Sequence, residues 1–256
     1  MKTRQLQHYL DIIIVLTQKE IKVRYKSSVL GYLWSIANPL ALALIFFMVF
    51  KVIMRVPMEN YALFLITGMF PWQCFLNSVN VSSSVFLSNA SIIKKVQFPR
   101  NLTLLAVVIQ DLFHFLVAIP VIVAFMFYYH QMPSWSWLYG IPFYLTIQFF
   151  MTYGVGLALA SFNLFFRDLE RLVSLFMMIL FYATPVIYTE AMVPEKYRIF
   201  LRMNPLASLI TGWRNLFLYG QIDVVSALSS MLFAAGLFAV GFYIYQKLSW
   251  RFAEVL

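Results

Sequence analysis

Charge is what this sequence has least of. Only 11% of its 256 residues are Asp, Glu, Lys or Arg, while 62% are apolar and the mean hydropathy is +0.80. A water-soluble domain needs about a quarter of its residues charged to coat its surface, so a soluble globule is excluded. Acidic residues number ten and histidines three, and His8, His114 and His130 lie far apart. There is no HExxH, no CxxC and no paired-aspartate signature, which removes the usual residue sets for metal chemistry. There is no GxxxxGK[ST] loop, so the chain holds no ATP through a P-loop of its own. Cys74 is the sole cysteine and cannot form an intrachain disulfide. Alternating segments of about ten residues, the mark of a membrane barrel, are also missing.

What is present is a series of continuous apolar runs, each long enough to cross a bilayer core of about 30 Å as a helix of roughly 20 residues. The fold class is all-α, a polytopic membrane protein with six transmembrane helices. Spans are expected at 30–54, 61–87, 102–129 and 137–166, with a fifth ending near Tyr188 and a sixth at 224–247. Residues 1–28 precede them as an interface helix. Within it Leu6, Leu10, Ile13, Thr17 and Ile21 recur at steps of three and four with basic residues between, a pattern that lies in a membrane surface. Its charges extend too far, with no small-x-small site after them, for a cleavable signal peptide. The single membrane domain covers 1–256, with spans one to five in 29–188, an external segment at 189–223 and a tail at 248–256.

The net charge of +9 does not imply nucleic acid, because the basic residues flank spans instead of forming one polar patch. With the N-terminus inside, the cytoplasmic side takes Lys2, Arg4, Lys19, Lys22, Arg24, Lys26, Lys94, Lys95, Arg100, Arg167, Arg171, Lys247 and Arg251. The other side keeps Lys51, Arg55, Lys196, Arg198, Arg202 and Arg214. The excess puts both termini in the cytoplasm. The segment 189–223 is too apolar for a solvated loop, yet Pro194, Pro205, Gly212 and Gly220 break it into pieces too short to span. Short helices at 201–210 and 213–219 are expected, re-entrant or interfacial, since irregular backbone at membrane depth survives only under protein or water.

Polar residues inside apolar runs are the candidates for function. In the second span Gln73, Asn77, Asn80, Ser84 and Ser88 share one helical face. That face points either to a hydrated path, as an amide and hydroxyl wall suits a weakly bound solute, or to a neighbouring helix. Asp111, with Gln110 beside it and His114 one turn on, is the acidic residue deep in a span. It is either a functional group or a tie to a neighbouring helix. Gly154 and Gly156 indicate close helix packing, and Asp168 and Glu170 are expected to pair with Arg167 and Arg171. Aromatics make up 18% of the chain. Many sit at span ends as interfacial belts, whereas Tyr32, Trp34 and Phe46 are candidates for a lumen where rings stack on sugars.

Several runs together resemble a known family. These are 24–34 (RYKSSVLGYLW) followed by Asn38-Pro39, Phe98-Pro99-Arg100, Phe166-Arg167-Asp168-Leu169, Pro185-Val186-Ile187-Tyr188, and Asn204-Pro205-Leu206 with Arg214. Their order and spacing over nearly the whole chain resemble type-2 ABC exporter permeases, and most of all the polysaccharide branch that exports O-antigen, capsule or teichoic acid. The resemblance implies a bacterial inner (plasma) membrane, a homodimer, and two copies of a cytoplasmic ABC ATPase that bind ATP and Mg2+ in this chain's stead. It implies a coupling helix at 88–97, with Ser88, Asn89, Ser91, Lys94, Lys95, Phe98, Pro99 and Arg100 as the ATPase-facing connection. Ser88 or Asn89 would cap that helix and Pro99 end it. It implies an external gate including Tyr188, Asn204, Pro205 and Arg214. It also implies a continuous channel through which a polyprenyl-pyrophosphate-linked polysaccharide moves. Charge and position make Arg4, Lys19, Lys22 and Arg24 candidates for the pyrophosphate, and Tyr32, Trp34, Phe46, Gln73, Asn77, Asn80 and Ser84 candidates for the channel wall. O-antigen is the expected cargo, with membrane lipids as surroundings. A small-molecule exporter would want more apolar walls, and an enzyme acting on polyprenyl lipids would want clustered carboxylates or basic residues at one membrane face. A purely structural protein would leave the broken segment 189–223 unexplained.

Overall fold

The computed structural model describes residues 2–25, 31–96 and 98–252, excepting the side chains of residues 2–6, 24, 25 and 32. Arg4, Arg24 and Tyr32 therefore lie outside the described side chains, and residues 26–30 of the quoted motif outside the described residues. Among the described residues every regular element is helical. They are α1 (Lys2–Tyr25), α2 (Trp34–Phe46, continuing as a π-helical turn Phe47–Ile53), α3 (Tyr61–Ser88), α4 (Ala90–Lys95), α5 (Asn101–Tyr128), α6 (Trp137–Asn163), α7 (Leu169–Ala183), α8 (Arg198–Met203), α9 (Pro205–Tyr219) and α10 (Val224–Leu248).

Among the described residues five helices are long and apolar enough to cross a membrane: Trp34–Ile53, Tyr61–Ser88, Asn101–Tyr128, Trp137–Asn163 and Val224–Arg251. Four of them carry an interior proline, Pro39, Pro71, Pro120 and Pro142. A bundle tolerates these because neighbouring helices satisfy the freed backbone groups. The helix expected to end near Tyr188 stops at Ala183 and has 15 residues, a rise of about 22 Å. Pro185 explains the stop, since the residue before a proline is forced out of the α region, and Thr184 is extended at ψ 138°.

α3 is the axis of the bundle. Of its 28 residues most are buried, packed against α5, α6, α7, α9 and α2. α6 and α10 cross where Gly154 meets Gly241, backbone against backbone, as the small residues of α6 predict. One end of the bundle gathers α4, α1 and the chain's last described residues: Lys19 Nζ donates to Asn89 Oδ1, and Arg100 Nη1 donates to Ser249 O at 2.8 Å. The opposite end gathers α8, α9 and the loops beside Tyr61 and Trp137, whose Nε1 donates to Leu216 O. α1 deviates from its expected stripe. Leu16, with Ile12 and Ile13 around it, packs on Leu102 and Ala106 of α5, while Leu10, Ile14 and Val15 stay exposed. The helix is apolar on two faces, one for its own protein and one open to the surroundings.

The segment 189–223 also divides differently from expectation. Helix α9 starts at Pro205 and runs unbroken through Gly212 to Tyr219. Asn204 accepts a hydrogen bond from Leu206 N and Pro205 occupies the first helical turn, a strong start signal. Gly212 does not end it, because its bare Cα lies against the Tyr144 ring, where a Cβ would be 2.5 Å from a ring carbon. The stop comes at Gly220, at φ 63°. The ion pairs expected around 167–171 do not form; Arg167, Asp168, Glu170 and Arg171 are exposed, where such pairs gain little.

Candidate functional site

The polar face of α3 is the half-exposed side of an otherwise buried helix. Its upper residues border two cavities. The first, about 360 Å3, lies between α2, α3 and α5 and is lined by Trp34, Ser35, Asn38, Phe70, Gln73, Asn77, Asn80, Asp111, His114 and Phe115, among others. The second, about 320 Å3, lies between α2, α3 and α7, and Phe46, Trp72, Met177, Phe181 and Tyr182 dominate it, with Gln73 and Asn80 again on its wall. The structure thus brings Trp34, Gln73, Asn77 and Asn80 together, places Phe46 across α3 from that group with Phe181 stacked on it, and leaves Ser84 in neither cavity.

Within the first cavity the polar groups are held in place. Gln73 Nε2 donates to Asn77 Oδ1 at 2.8 Å, one helical turn apart. Ser78 Oγ donates to Asp111 Oδ2 at 2.8 Å, so the carboxylate ties α5 to α3. Gln110 Nε2 lies 3.5 Å from His114 Nε2. Asn80 Oδ1 is shielded from solvent and accepts no hydrogen bond from the described residues. A shielded amide oxygen without a donor is an open acceptor, which costs free energy until something fills it.

At the opposite end the backbone after α7 presents buried carbonyls, and side chains from other elements take them one by one. Asn204 Nδ2 donates to Ala183 O and to Thr184 Oγ1. Arg214 Nη1 donates to Pro185 O at 2.8 Å and Nη2 to Val186 O at 2.7 Å. Tyr61 Oη donates to Ile187 O at 2.8 Å. Irregular backbone cannot face lipid unpaired, and this clamp satisfies it from within. The guanidinium of Arg214 is buried, stacked 3.7 Å from the centroid of Phe64, and Gly68 leaves room for it. Tyr188 donates to Tyr182 O, and an apolar cavity of about 410 Å3 opens beside Tyr188, Tyr197 and Asn204. The sequence pointed to Asn204 and Arg214 but not to Tyr61, Phe64 or Gly68, whose only signal is their place at the start of a span. Beyond the clamp, Asp223 Oδ2 accepts from Ser226 N and Oγ and caps α10. The Ser226 hydroxyl and backbone hold its carboxyl below the usual range.

The connection between α3 and α5 splits into two faces. Ser88, Ser91, Lys94, Lys95 and Pro99 are exposed. Asn89 is buried and turned inward; its Nδ2 donates to Val85 O, so it does not cap α4 as expected, and Ser88 Oγ likewise donates to Val85 O. Phe98 packs on the α1–α5 contact, and Arg100 lies over Phe252. Of the basic residues on α1, Lys19 is engaged by Asn89 and by Glu20, at 2.8 Å, while Lys22 is exposed.

Known proteins resemble this chain in sequence. The family model described as "ABC-2 type transporter" matches residues 12–218. An O-antigen export system permease protein, RfbA, of Klebsiella pneumoniae is 50% identical over 253 residues, covering 98% of this chain and 97% of the relative. The protein of the same description from Myxococcus xanthus is 32% identical over 84% of this chain and 83% of its own length. A polysialic acid transport protein, KpsM, of Escherichia coli is 24% identical over 80% of each chain. With most of its length matched by the family model and by a relative at half identity, the chain belongs to the ABC-2 type transporter family.

Proposed function

We propose that the chain is the transmembrane permease subunit of an ATP-driven exporter that moves lipid-linked polysaccharide, O-antigen in the first place, out of the cytoplasm through a homodimeric channel. The observation that carries this is identity of 50% along practically the whole length to an O-antigen export permease. The wall itself supports it: amides and hydroxyls facing cavities inside an apolar bundle suit a hydrated, uncharged polymer held weakly. The chain is not an enzyme in this reading. Its ATP and Mg2+ belong to two copies of a partner ATPase, which meet the exposed Ser91, Lys94 and Lys95 of α4.

The topology we infer has six spans in a bacterial inner membrane, with both termini cytoplasmic. α7 begins at the α4 end, after Phe165 in the cluster around Phe86, and finishes at the clamp, so it carries the chain across the bundle although it is short. Counting it makes the crossings even, in keeping with α1 and the last described residues sharing one end. The clamp and helices α8 and α9 then form the external gate, and the basic residues Arg4, Lys19, Lys22 and Arg24 are the ones we assign to the pyrophosphate at the membrane surface.

The test is to delete the gene in its host and locate the surface polysaccharide by immunoblot and membrane fractionation, then restore this chain. Lipid-linked polymer held on the cytoplasmic side, and a surface coat regained on complementation, is the expected result. A normal coat in the deletion strain, with no second exporter present, overturns the proposal.

A further inference from the structure

We propose that Lys19 and Asn89 are positioning residues of the export cycle, tying α1 to the joint between α3 and α4 so that α1 and α4 move as one body; this rests on the export reading above. Asn89 is the joint itself, the one residue between Ser88 of α3 and Ala90 of α4, and its backbone leaves the helical region at φ −102° and ψ 12°. Its N–H donates to Val85 O at 3.2 Å, and its carbonyl accepts from Ile92 N and Ile93 N at 3.0 Å. Its side chain adds a bond on either side. Nδ2 donates to Val85 O at 2.9 Å, and Oδ1 accepts from Lys19 Nζ. One buried residue thus holds three helices together.

Lys19 is set for that contact by its neighbour. Glu20 Oε1 accepts from Nζ at 2.8 Å, and the Glu20 side chain is only 15% exposed, so the ammonium is held by two acceptors. A charged donor makes a stronger hydrogen bond than a neutral one. Three residues before Lys19, Leu16 packs on Leu102 and Ala106 of α5, and Phe98 joins that cluster. Helix α1 therefore grips the connection at its entry through Asn89 and at its exit through Phe98. Between the two grips Ser91, Lys94 and Lys95 face outward. A load on that outward face reaches α1 through both grips, and α1 carries the exposed Leu10, Ile14 and Val15 on another side. The surface helix then shifts with the ATP state of the partner instead of staying behind in the lipid. An ammonium has three donors, so Lys19 can hold Asn89 and still meet a phosphate oxygen.

The experiment is a double-mutant cycle read as export per ATP hydrolysed. Surface polymer is measured by immunoblot in the deletion strain carrying each variant. ATP hydrolysis is measured on the full chain purified with its co-purifying ATPase in lipid nanodiscs. Lys19→Met, which keeps the length of the side chain and removes its charge, is expected to lower the ratio at least about tenfold, as is Asn89→Leu. The double variant is expected to be no worse than either single one, since both remove the same contact. Lys19→Arg and Asn89→Asp, which keep a donor and an acceptor, are expected to stay near the wild type. Asn89→Asp gives up the Nδ2 bond to Val85 O and keeps the bond to Lys19. A ratio as low as that of Asn89→Leu, at equal melting temperature, would make Asn89 a structural group only and overturns the proposal. Effects that multiply in the double variant overturn it too, because Lys19 would then act on the cargo alone. Wild-type coupling in Lys19→Met likewise sinks the tie, and the tie only. Failure of the wild-type chain to restore surface polymer sinks the export reading.

Discussion

The crossing of α6 and α10 offers a quantitative test, because two glycines on α10 differ only in what stands opposite them. Gly241 faces the backbone of Gly154, and a Cβ on it would lie 2.7 Å from Gly154 C; a Cβ on Gly154 would lie 2.5 Å from Phe238 Cα and 2.6 Å from Leu237 O. Gly236, five residues before Gly241 on the same helix, has nothing within 4 Å. Backbone atoms cannot swing aside as a side chain end can. The atom nearest the Gly241 Cβ is Gly154 O, so to reach an ordinary contact of about 3.5 Å the two helices must part by roughly 1.5 Å. The rings beside the crossing, Phe150 edge-on and Tyr153 stacked against Phe238 of α10, part with them. Overpacking of this kind costs about 1–3 kcal/mol and more where nothing gives, so Gly241→Ala is expected to lose ~3 kcal/mol. At about 2–4 °C per kcal/mol for a chain of this size, the melting temperature falls by roughly 6–12 °C. Gly236→Ala is expected to be neutral or to gain up to about 1 kcal/mol of helix propensity. Melting in detergent, followed by size-exclusion elution after heating, reads both. If Gly241→Ala melts with the wild type, or above Gly236→Ala, the close crossing is not what holds these helices together.

Two further expectations follow from the end of the bundle that holds α9. Arg214→Met removes both donors to Pro185 O and Val186 O, and each orphaned buried carbonyl costs about 1–3 kcal/mol, partly offset by no longer burying a guanidinium. In a Cys74→Ser, Tyr188→Cys background, labelling of Cys at 188 by a membrane-impermeant thiol reagent should rise several-fold; unchanged labelling would remove the clamp from the gate. Gly68→Ala should act in the same direction, because its Cβ meets the guanidinium. Asp223→Ala should cost about 1 kcal/mol as a lost helix cap. Its carboxyl is lowered in the folded state, so its contribution is complete above the unfolded value of about 3.9 and is lost as pH falls through the folded value. The wild type should therefore lose more of its melting temperature between pH 7 and pH 3 than the variant does. Equal losses refute this role.

The long helices were legible because membrane solvent writes a simple code: α3 and α5 begin and end within about a residue of where their apolar runs do. The polar face of α3 was legible for the same reason, and Trp34, Gln73, Asn77 and Asn80 do converge on one cavity. Partnership was not. Whether Asp111 faced solute or helix depended on Ser78, thirty-three residues away, and the bond between them ties α5 to α3 while the carboxylate still lines the cavity. Gly212 read as a breaker because sequence alone does not show the Tyr144 ring that makes a bare Cα favourable there. On α1 apolar residues satisfy two helical faces at once, so the stripe through Leu10 was as plausible as the one through Leu16 that packs on α5. The connection 88–100 read as a single partner-facing unit, yet Asn89, Phe98 and Arg100 serve the protein's own interior.

The clamp around 183–187 grips main-chain oxygens. Asn204, Arg214 and Tyr61 bond the carbonyls of Ala183, Pro185, Val186 and Ile187, and none of them bonds those residues' side chains. Any amino acid supplies a carbonyl, so the polar half of this latch is blind to the sequence at these four positions, and Thr184, whose Oγ1 accepts from Asn204 Nδ2, is the one residue it reads by its side chain. Variation among homologous chains at these four positions is then limited only by fit in the surrounding core, whereas the three gripping residues have no freedom of that kind. In the proposed export reading this lip can thus change its side chains without loosening the fold that carries it.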